Sequence, residues 1–129
     1  MKYAVTTIVI ILFLTILGLF LKFDQSPKSL EINKFSTIQK GIIDGDILLD
    51  VRTPGEYAAG HIQGAQSLPL QDIQSGTLPK VNTDKTLYIY CQSGNRSSQA
   101  TAILRKAGYR VEDLGGMDSV VAIGGTIVK

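Results

Sequence analysis

The fold of this chain is decided by one stretch, Tyr90-Cys91-Gln92-Ser93-Gly94-Asn95-Arg96-Ser97-Ser98. It follows Thr86–Tyr90, an apolar and aromatic run that is short enough for a buried strand. From Ser97 to Ala107 apolar residues recur at helical spacing, and Gly108 is placed to end that helix. The pattern predicts a strand, a tight loop and a helix, with Cys91 at the carboxyl end of the strand. In open α/β sheets, ligands bind at that edge.

The composition of the loop indicates a reactive cysteine. Helix N-termini and nearby cations lower a cysteine pKa from about 8.5 to roughly 3.5–7.5, and the thiolate is the nucleophile. Ser93, Gly94 and Asn95 tolerate the sharp backbone conformations that aim several N–H groups at an anion, and Arg96 adds a permanent planar cation. The alternative is that Cys91 is a buried cysteine without chemistry. The small polar residues, the glycine and the arginine favour the reactive cysteine.

Three segments resemble the signatures of rhodanese-family sulfurtransferases. Cys91–Ser97 is similar to the active-site loop, Leu49–Ala65 to a signature upstream of it, and Leu114–Met117 to the segment after the last strand. The resemblance implies that Cys91 takes a sulfane sulfur from thiosulfate or a similar donor, becomes a persulfide, and passes the sulfur to cyanide, a thiol or a partner protein. It implies no cofactor. The implied substrate-binding residues are those of the loop: Gln92, Ser93, Gly94, Asn95, Arg96 and Ser97.

The length of the loop separates this interpretation from other chemistry on the same fold. Protein tyrosine phosphatases and related cell-cycle phosphatases carry Cys-x5-Arg, a loop sized for phosphate or arsenate. Cys91 and Arg96 form the shorter Cys-x4-Arg. We therefore expect sulfur transfer, with a phosphatase or arsenate reductase as the less favoured class. A membrane-tethered persulfide carrier that serves a partner protein would use the same residues, so the sequence does not separate it from the enzyme.

With 129 residues the chain is long enough for one domain with a core of useful size. We expect an α/β domain whose mainly parallel sheet of four or five strands is flanked by helices, preceded by one N-terminal transmembrane helix. One strand is predicted at Asp46–Val51, and Thr53 is placed to cap the short helix that follows it. Asn33 or Ser36 is placed to cap an earlier short helix that ends near Gly41.

The amino-terminal segment has the pattern of a membrane anchor. Tyr3–Leu21 is a run of 19 uncharged, mostly apolar residues. A helix of that length spans about 28 Å, close to the hydrocarbon thickness of a bilayer. The run is longer than the apolar region of a signal peptide, and no Ala-x-Ala-like cleavage site follows it. We predict an uncleaved anchor at 3–21, a linker at 22–29 and a rhodanese-like domain at 30–129, with a cleaved signal as the alternative.

The charges around this segment give conflicting indications of its orientation. Lys22, Lys28, Lys34 and Lys40 follow the apolar run and favour a cytoplasmic domain, whereas only Lys2 and the amino terminus precede it. A two-residue charged tail before an apolar run is typical of an exported chain. The terminal segment also resembles small periplasmic thiosulfate sulfurtransferases of the phage-shock type. We expect an inner-membrane anchor with the domain in the periplasm, and the cytoplasmic face is the alternative.

Three polar residues outside the loop have more than one possible role. Asp50 ends a strand and either forms structural hydrogen bonds or tunes the site near Cys91. Arg52 lies four positions before Glu56, which favours a modest ion pair, or it attracts an anionic donor. His61 either forms a dyad with Cys91 or holds the backbone of a turn. One cysteine and one histidine cannot close a metal site, and a net charge of +2 does not indicate nucleic-acid binding.

Overall fold

The computed structural model describes residues 27–129, with side-chain environments from Lys34 onward. The chain divides between Leu30 and Glu31, and the unit that ends at Lys129 contains the sheet. The elements in chain order are α1 (Pro27–Ile43), β1 (Ile47–Asp50), α2 (Pro54–Ala59), β2 (His61–Ile62), β3 (Ala65–Ser67), α3 (Leu70–Gln74), β4 (Thr86–Cys91), α4 (Asn95–Lys106), β5 (Arg110–Gly116), α5 (Met117–Ala122) and β6 (Ile127–Val128).

The main sheet has four parallel strands in the order β3-β1-β4-β5. This confirms the predicted α/β fold with a parallel sheet flanked by helices. A separate antiparallel pair, β2 with β6, was not predicted, because two-residue strands leave no pattern in the sequence. Asp50 of β1 pairs with Tyr90 of β4, so both strands end at the same edge of the sheet, and the loop after Cys91 leaves from that edge.

The strand β5 contains an irregularity that sets the surroundings of the cysteine. Ile89 pairs with Asp113 but Tyr90 pairs with Gly115, so Leu114 is an extra residue in β5. As a result, Gly116 lies opposite Cys91. Bulges of this kind are frequent next to active sites, where they re-aim the residues that follow.

Alternation along the strands divides the core between the two faces of the sheet. One cluster, on the side of α3 and α4, contains Leu49, Val51, Leu70, Ile73, Leu87, Ile89, Cys91, Ala100, Leu104 and Val111. The other, on the side of α1 and α5, contains Phe35, Ile38, Leu48, Ile62, Ala65, Tyr90, Met117 and Val120. Cys91 and Tyr90 are therefore neighbours in sequence that face opposite sides of the sheet.

The prediction of a short helix capped by Asn33 or Ser36 is wrong. The helix α1 runs from Pro27 through both residues to Ile43. Tertiary packing explains the difference, because burial of an apolar face stabilises a helix more than a local cap signal interrupts it. Phe35 and Ile38 provide that face, with exposed fractions of 2% and 3%. Pro27 is compatible with a helix start, since proline is tolerated in the first turn.

The predicted membrane anchor cannot be compared with the structure. Tyr3–Leu21 and most of the predicted linker lie outside the described residues. Within residues 27–129 no helix is long and apolar enough to span a bilayer. The anchor and its orientation stay predictions.

Candidate active site

Cys91 is the last residue of β4 and is fully buried, with an exposed fraction of 0%. It is a free thiol. The N–H of Gly94 donates to its Sγ at 3.0 Å. Gly94 has a φ of 95°, in the left-handed region that favours glycine, and stands at the N-cap of α4. This conformation turns the chain back over the sulfur within three residues.

The loop that follows Cys91 is supported by the end of β5. Ser93 forms an isolated antiparallel bridge with Gly116, and the N–H of Met117 donates to the carbonyl of Gln92 at 3.3 Å. A Cβ at Gly116 would lie 3.0 Å from that carbonyl oxygen, so only glycine fits without displacement of the loop. The Gly115-Gly116 pair therefore allows β5 to approach the loop closely and to fix its backbone.

Hydrogen bonds stabilise the thiolate form of Cys91. Burial by itself raises the pKa of the thiol and is the largest single influence. It is outweighed by hydrogen bonds from the N–H and hydroxyl of Ser97 and from the N–H groups of Ser93 and Gly94, so the pKa of Cys91 lies below its ordinary value. The Ser97 hydroxyl also lies 2.9 Å from the Gly94 carbonyl, and its single proton serves one acceptor at a time. The backbone N–H groups are therefore the permanent part of this stabilisation.

Asp50 and Arg52 form a buried ion pair at the end of β1. The Arg52 Nη2 lies 2.6 Å from the Asp50 Oδ2, and the side chains are 4% and 0% exposed. The Arg52 Nε donates to both carboxylate oxygens at 3.0 Å, and the Arg52 N–H donates to Oδ1 at 2.9 Å. Burial alone lowers the pKa of Arg52, but Asp50 outweighs it and the net direction is upward. The predicted Arg52–Glu56 pair is wrong, because Arg52 turns back to the nearer and more buried carboxylate.

The buried pair is part of a network that reaches the loop. The hydroxyl of Tyr90 donates to the Asp50 Oδ2 at 2.7 Å and accepts from the N–H of Ile62 at 2.9 Å. Arg52 donates to the Gly60 carbonyl at 2.6 Å and to the Gln92 Oε1 at 3.2 Å. Burial and the neighbouring carboxylate raise the pKa of Tyr90 well above its usual range. The network connects the opposite face of the sheet to the residue that follows Cys91.

Arg96 pairs with Glu56 in a two-pronged arrangement. The Arg96 Nη1 lies 2.6 Å from Glu56 Oε2, and the Nη2 lies 2.9 Å from Oε1. Glu56 is the third residue of α2 and also closes a capping box with Thr53, which confirms Thr53 as the helix cap. The hydrogen bonds from Arg96 and Thr53 hold the pKa of the Glu56 carboxyl far below its usual range.

The site therefore contains a free, buried cysteine under a loop whose N–H groups converge on the sulfur. The family model described as a rhodanese-like domain matches residues 35–122, about two thirds of the chain. The chain belongs to the rhodanese-like domain family.

Several curated sulfurtransferases are similar to this rhodanese-like chain. A sulfurtransferase of Allochromatium vinosum is 43% identical over 90 residues, which cover 67% of this chain and 81% of that protein. Thiosulfate sulfurtransferase PspE of Escherichia coli K12 is 36% identical over 56% of this chain and 71% of PspE. Other relatives are longer: the chain spans 48% of the Bacillus subtilis protein YqhL, which is 44% identical over 47% of this chain.

Solved structures agree in fold. The rhodanese-like domain of the Anabaena sp. Alr3790 protein is 33% identical, with a TM-score of 0.59, over 66% of this chain and 100% of that domain. A structure described as rhodanese with anions from E. coli is 34% identical, with a TM-score of 0.55, over 66% of this chain and 99% of that one.

The rhodanese-like domain brings only part of the predicted site together around the sulfur. The backbone of Ser93 and Gly94 and the whole of Ser97, which is 0% exposed, surround Cys91. Gln92 is exposed and accepts from Arg52. Their roles as substrate ligands stay predictions.

Asn95 and Arg96, the other two predicted ligands, have partners away from the sulfur. The exposed Asn95 accepts from the Gln99 side chain at 2.8 Å, and Arg96 pairs with Glu56. Glu56 and Tyr90 were not predicted as site residues. The Thr53-x-x-Glu56 capping pattern was present in the sequence, but it does not reveal that the same carboxylate contacts a residue forty positions later.

His61 has the backbone-holding role rather than the dyad. Its Nδ1 lies 3.1 Å from the Tyr57 carbonyl, and its ring stacks on Tyr57 with centroids 3.8 Å apart. Among residues 27–129 no three potential ligand side chains are grouped in a way that could hold a metal ion.

A cavity of about 200 Å³ opens beside the loop. Its lining includes apolar residues, two arginines and two glutamines. The lining residues are Val51, Arg52, Thr53, Pro69, Leu70, Gln71, Gln74 and Arg96. Cys91 does not line it, so the cavity flanks the cysteine rather than containing it.

Proposed function

We propose that this protein transfers a sulfane sulfur from thiosulfate or a similar donor to a thiophilic acceptor through a persulfide on Cys91. The observation that carries the proposal is the cysteine itself: a free thiol whose Sγ accepts the Gly94 N–H at 3.0 Å in a Cys-x4-Arg loop. Its lowered pKa supplies the thiolate that the reaction requires.

The first half of the reaction is a displacement at sulfur. The Cys91 thiolate attacks the outer sulfur of thiosulfate, a new S–S bond forms, and the S–S bond to the sulfonate group breaks. Sulfite leaves with the bonding electron pair, so no oxidant, reductant or cofactor takes part. In this proposal the N–H groups that stabilise the thiolate also stabilise the terminal sulfur of the persulfide.

The second half returns the enzyme to its starting state. An acceptor such as cyanide or a thiolate attacks the outer sulfur of the persulfide, and Cys91 leaves as the stabilised thiolate. A low thiol pKa helps this step as well, since a weaker base is a better leaving group. The cycle is a double displacement through one cysteine. A phosphatase or arsenate reductase is less well supported, because the loop between Cys91 and Arg96 is one residue shorter than that class requires.

A second candidate function is a persulfide carrier whose acceptor is a protein. It is favoured by the similarity to a Bacillus subtilis protein named as the putative sulfur carrier YrkF, 35% identical over 49% of this chain and 34% of that protein. The same persulfide would serve both functions, and turnover with small acceptors compared with transfer to a protein distinguishes them.

We also propose that residues 3–21 anchor the protein in the inner membrane with the domain in the periplasm. The support is the uncharged run Tyr3–Leu21 and the short charged tail before it, a pattern typical of an exported chain. A reporter fused after Lys129 tests it. Active alkaline phosphatase and a dark fluorescent protein support the periplasm, and the opposite pair of results places the domain in the cytoplasm.

The proposed chemistry is tested by the mass of the intact protein after incubation with thiosulfate. Cys91 is the only thiol in the chain, so one added sulfur, removed by cyanide, assigns the persulfide to it. Cys91→Ser should take up no sulfur and should fold normally. Ser98→Ala, an exposed change in α4, should behave as the wild type. Sulfur on the Cys91→Ser protein, or none on the wild type, would overturn the proposal.

A further inference from the structure

We propose that Glu56 is a positioning residue for sulfur transfer: its carboxylate fixes the guanidinium of Arg96 so that the unpaired N–H groups of Arg96 can bind the oxygens of an anionic sulfur donor. This inference rests on the proposed function and adds to it. Glu56 itself contacts neither the cysteine nor, in this scheme, the donor.

The geometry of the pair determines how Arg96 is held. Both terminal nitrogens of Arg96 donate to Glu56, one to each carboxylate oxygen, at 2.6 and 2.9 Å. Two parallel hydrogen bonds of this kind fix the plane of the guanidinium as well as its distance. The Arg96 side chain is 32% exposed, so packing alone leaves it free to adopt other rotamers. The pair with Glu56 therefore determines its orientation.

The Glu56 carboxylate can fix the position of Arg96 because hydrogen bonds fix the carboxylate itself. Its Oε2 accepts from the Thr53 N–H at 2.9 Å and from the Thr53 hydroxyl at 2.9 Å. Its own N–H donates back to Thr53 Oγ1 at 3.3 Å. These bonds tie the carboxylate to the first turn of α2, and Pro54 at the start of that helix restricts the backbone. The first turn of α2 thus acts as the fixed support for a side chain of the loop.

The pairing leaves donors for a ligand. A guanidinium carries five N–H groups. Glu56 takes one from each terminal nitrogen, which leaves the Nε–H and one further N–H on each of Nη1 and Nη2, and none of these has a partner among the described residues. Arg96 also lines the cavity beside the loop. The sulfonate oxygens of thiosulfate are acceptors of the type that such a group binds.

The other arginine of the cavity is not equivalent. Arg52 is 4% exposed and its guanidinium already donates to Asp50, Gln92 and Gly60. An anion that approached Arg52 would compete with a buried carboxylate. Arg96 is therefore the arginine that is available to the donor, and its charge is balanced by Glu56, so directed hydrogen bonds rather than net charge would hold the anion.

The test uses Glu56→Gln, which keeps the shape but loses the charge and one acceptor oxygen, and Glu56→Asp, which keeps the charge but shortens the reach. Glu112→Gln is the matched control, because it makes the same amide substitution at an exposed glutamate of β5 that does not line the cavity. Persulfide formation in a single turnover is followed over a range of thiosulfate concentrations. The measurement separates the half-saturating concentration from the limiting rate.

We expect both Glu56 variants to raise the half-saturating thiosulfate concentration roughly ten-fold, in the range of a lost charge-assisted hydrogen bond, with a smaller change in the limiting rate. Glu112→Gln should leave it at the wild-type value, because that residue does not line the cavity. In an Arg96→Ala background, Glu56→Gln should have no further effect, since the residues act as one unit. A limiting rate near that of the wild type also shows that each variant is folded.

The inference would be overturned by a wild-type half-saturating thiosulfate concentration in Glu56→Gln, by an equal rise in Glu112→Gln, or by an undiminished Glu56→Gln effect in the Arg96→Ala background. A half-saturating thiosulfate concentration in Glu56→Asp equal to that of the wild type would assign the role of Glu56 to its charge alone. That result would also overturn the inference. Failure of the proposed function looks different, because the wild type itself would then take up no sulfur.

Discussion

Two arginine–carboxylate pairs lie at the same edge of the sheet and differ in their surroundings. Each has a shortest N–O distance of 2.6 Å. Arg52 and Asp50 are 4% and 0% exposed, whereas Arg96 and Glu56 are 32% and 34% exposed. The first pair has further partners in Tyr90 and Gly60. Among the described residues, the second has only the helix cap, and three of the five N–H groups of Arg96 have no partner there.

The difference shows that two contacts of equal length can have different functions: one stabilises the fold, and the other leaves a charged group open to a ligand. Loss of one partner from a buried pair leaves an uncompensated charge and costs about 3–5 kcal/mol. An exposed pair contributes about 0–1 kcal/mol, because water competes for both groups. Arg52 and Asp50 therefore belong to the architecture of the edge. Arg96 and Glu56 are paired but remain accessible to solvent, as the proposed binding of a sulfur donor requires.

The largest expected effect is on stability, and it compares two matched amide substitutions. Asp50→Asn should lower the free energy of unfolding by about 3–5 kcal/mol, because it leaves the Arg52 charge buried without its counter-ion. Glu56→Gln should lower it by no more than about 1 kcal/mol. Urea unfolding of the two variants at neutral pH measures both values. Equal losses would remove the distinction between the pairs.

The next effect concerns Arg96 and substrate affinity. Arg96→Ala should raise the KM for thiosulfate by roughly 10- to 100-fold, the range expected for hydrogen bonds between charged groups. Lysine should restore part of the affinity, since it keeps the charge but lacks the planar fork. Steady-state kinetics with thiosulfate and cyanide make the measurement. An alanine variant with unchanged KM would reduce Arg96 to a structural partner of Glu56.

The smallest effect is a shift in the titration of Cys91. Because the pKa of the thiol is lowered, alkylation by iodoacetamide should rise with pH and level off below the pH expected for an ordinary thiol. The thiolate favours the folded state, so its contribution to stability is present above the unfolded pKa of about 8.5 and is lost as pH falls through the folded value. Ser97→Ala should move the alkylation midpoint upward, because the hydroxyl helps to lower this pKa. An unchanged midpoint would show that the backbone N–H groups alone lower the pKa of Cys91.

The sequence was sufficient where local chemistry determines the result. The strand before Cys91, the loop and the helix after it, and the cap at Thr53 all depend on residues within a few positions of each other. The parallel sheet followed from the alternation of strands and helices.

The parts that could not be predicted depend on contacts between distant residues. Glu56 meets Arg96, and Arg52 meets Gln92, each across forty positions of sequence. Spacing four apart suggested Arg52 with Glu56, but the burial of Asp50 decided the pairing. The length of α1 likewise depended on a face that is buried only after the sheet has formed.

The buried position of the only cysteine has a consequence for the dynamics of the protein. Cys91 is 0% exposed, so a bulky disulfide reagent reaches the sulfur only when the loop moves away from it. With no second thiol to react, the labelling rate of the native protein reports the free energy of that local opening. The chain therefore carries an intrinsic probe of how often its loop lifts from the end of β5. The same barrier would slow mixed-disulfide formation with large thiols while small sulfur donors react.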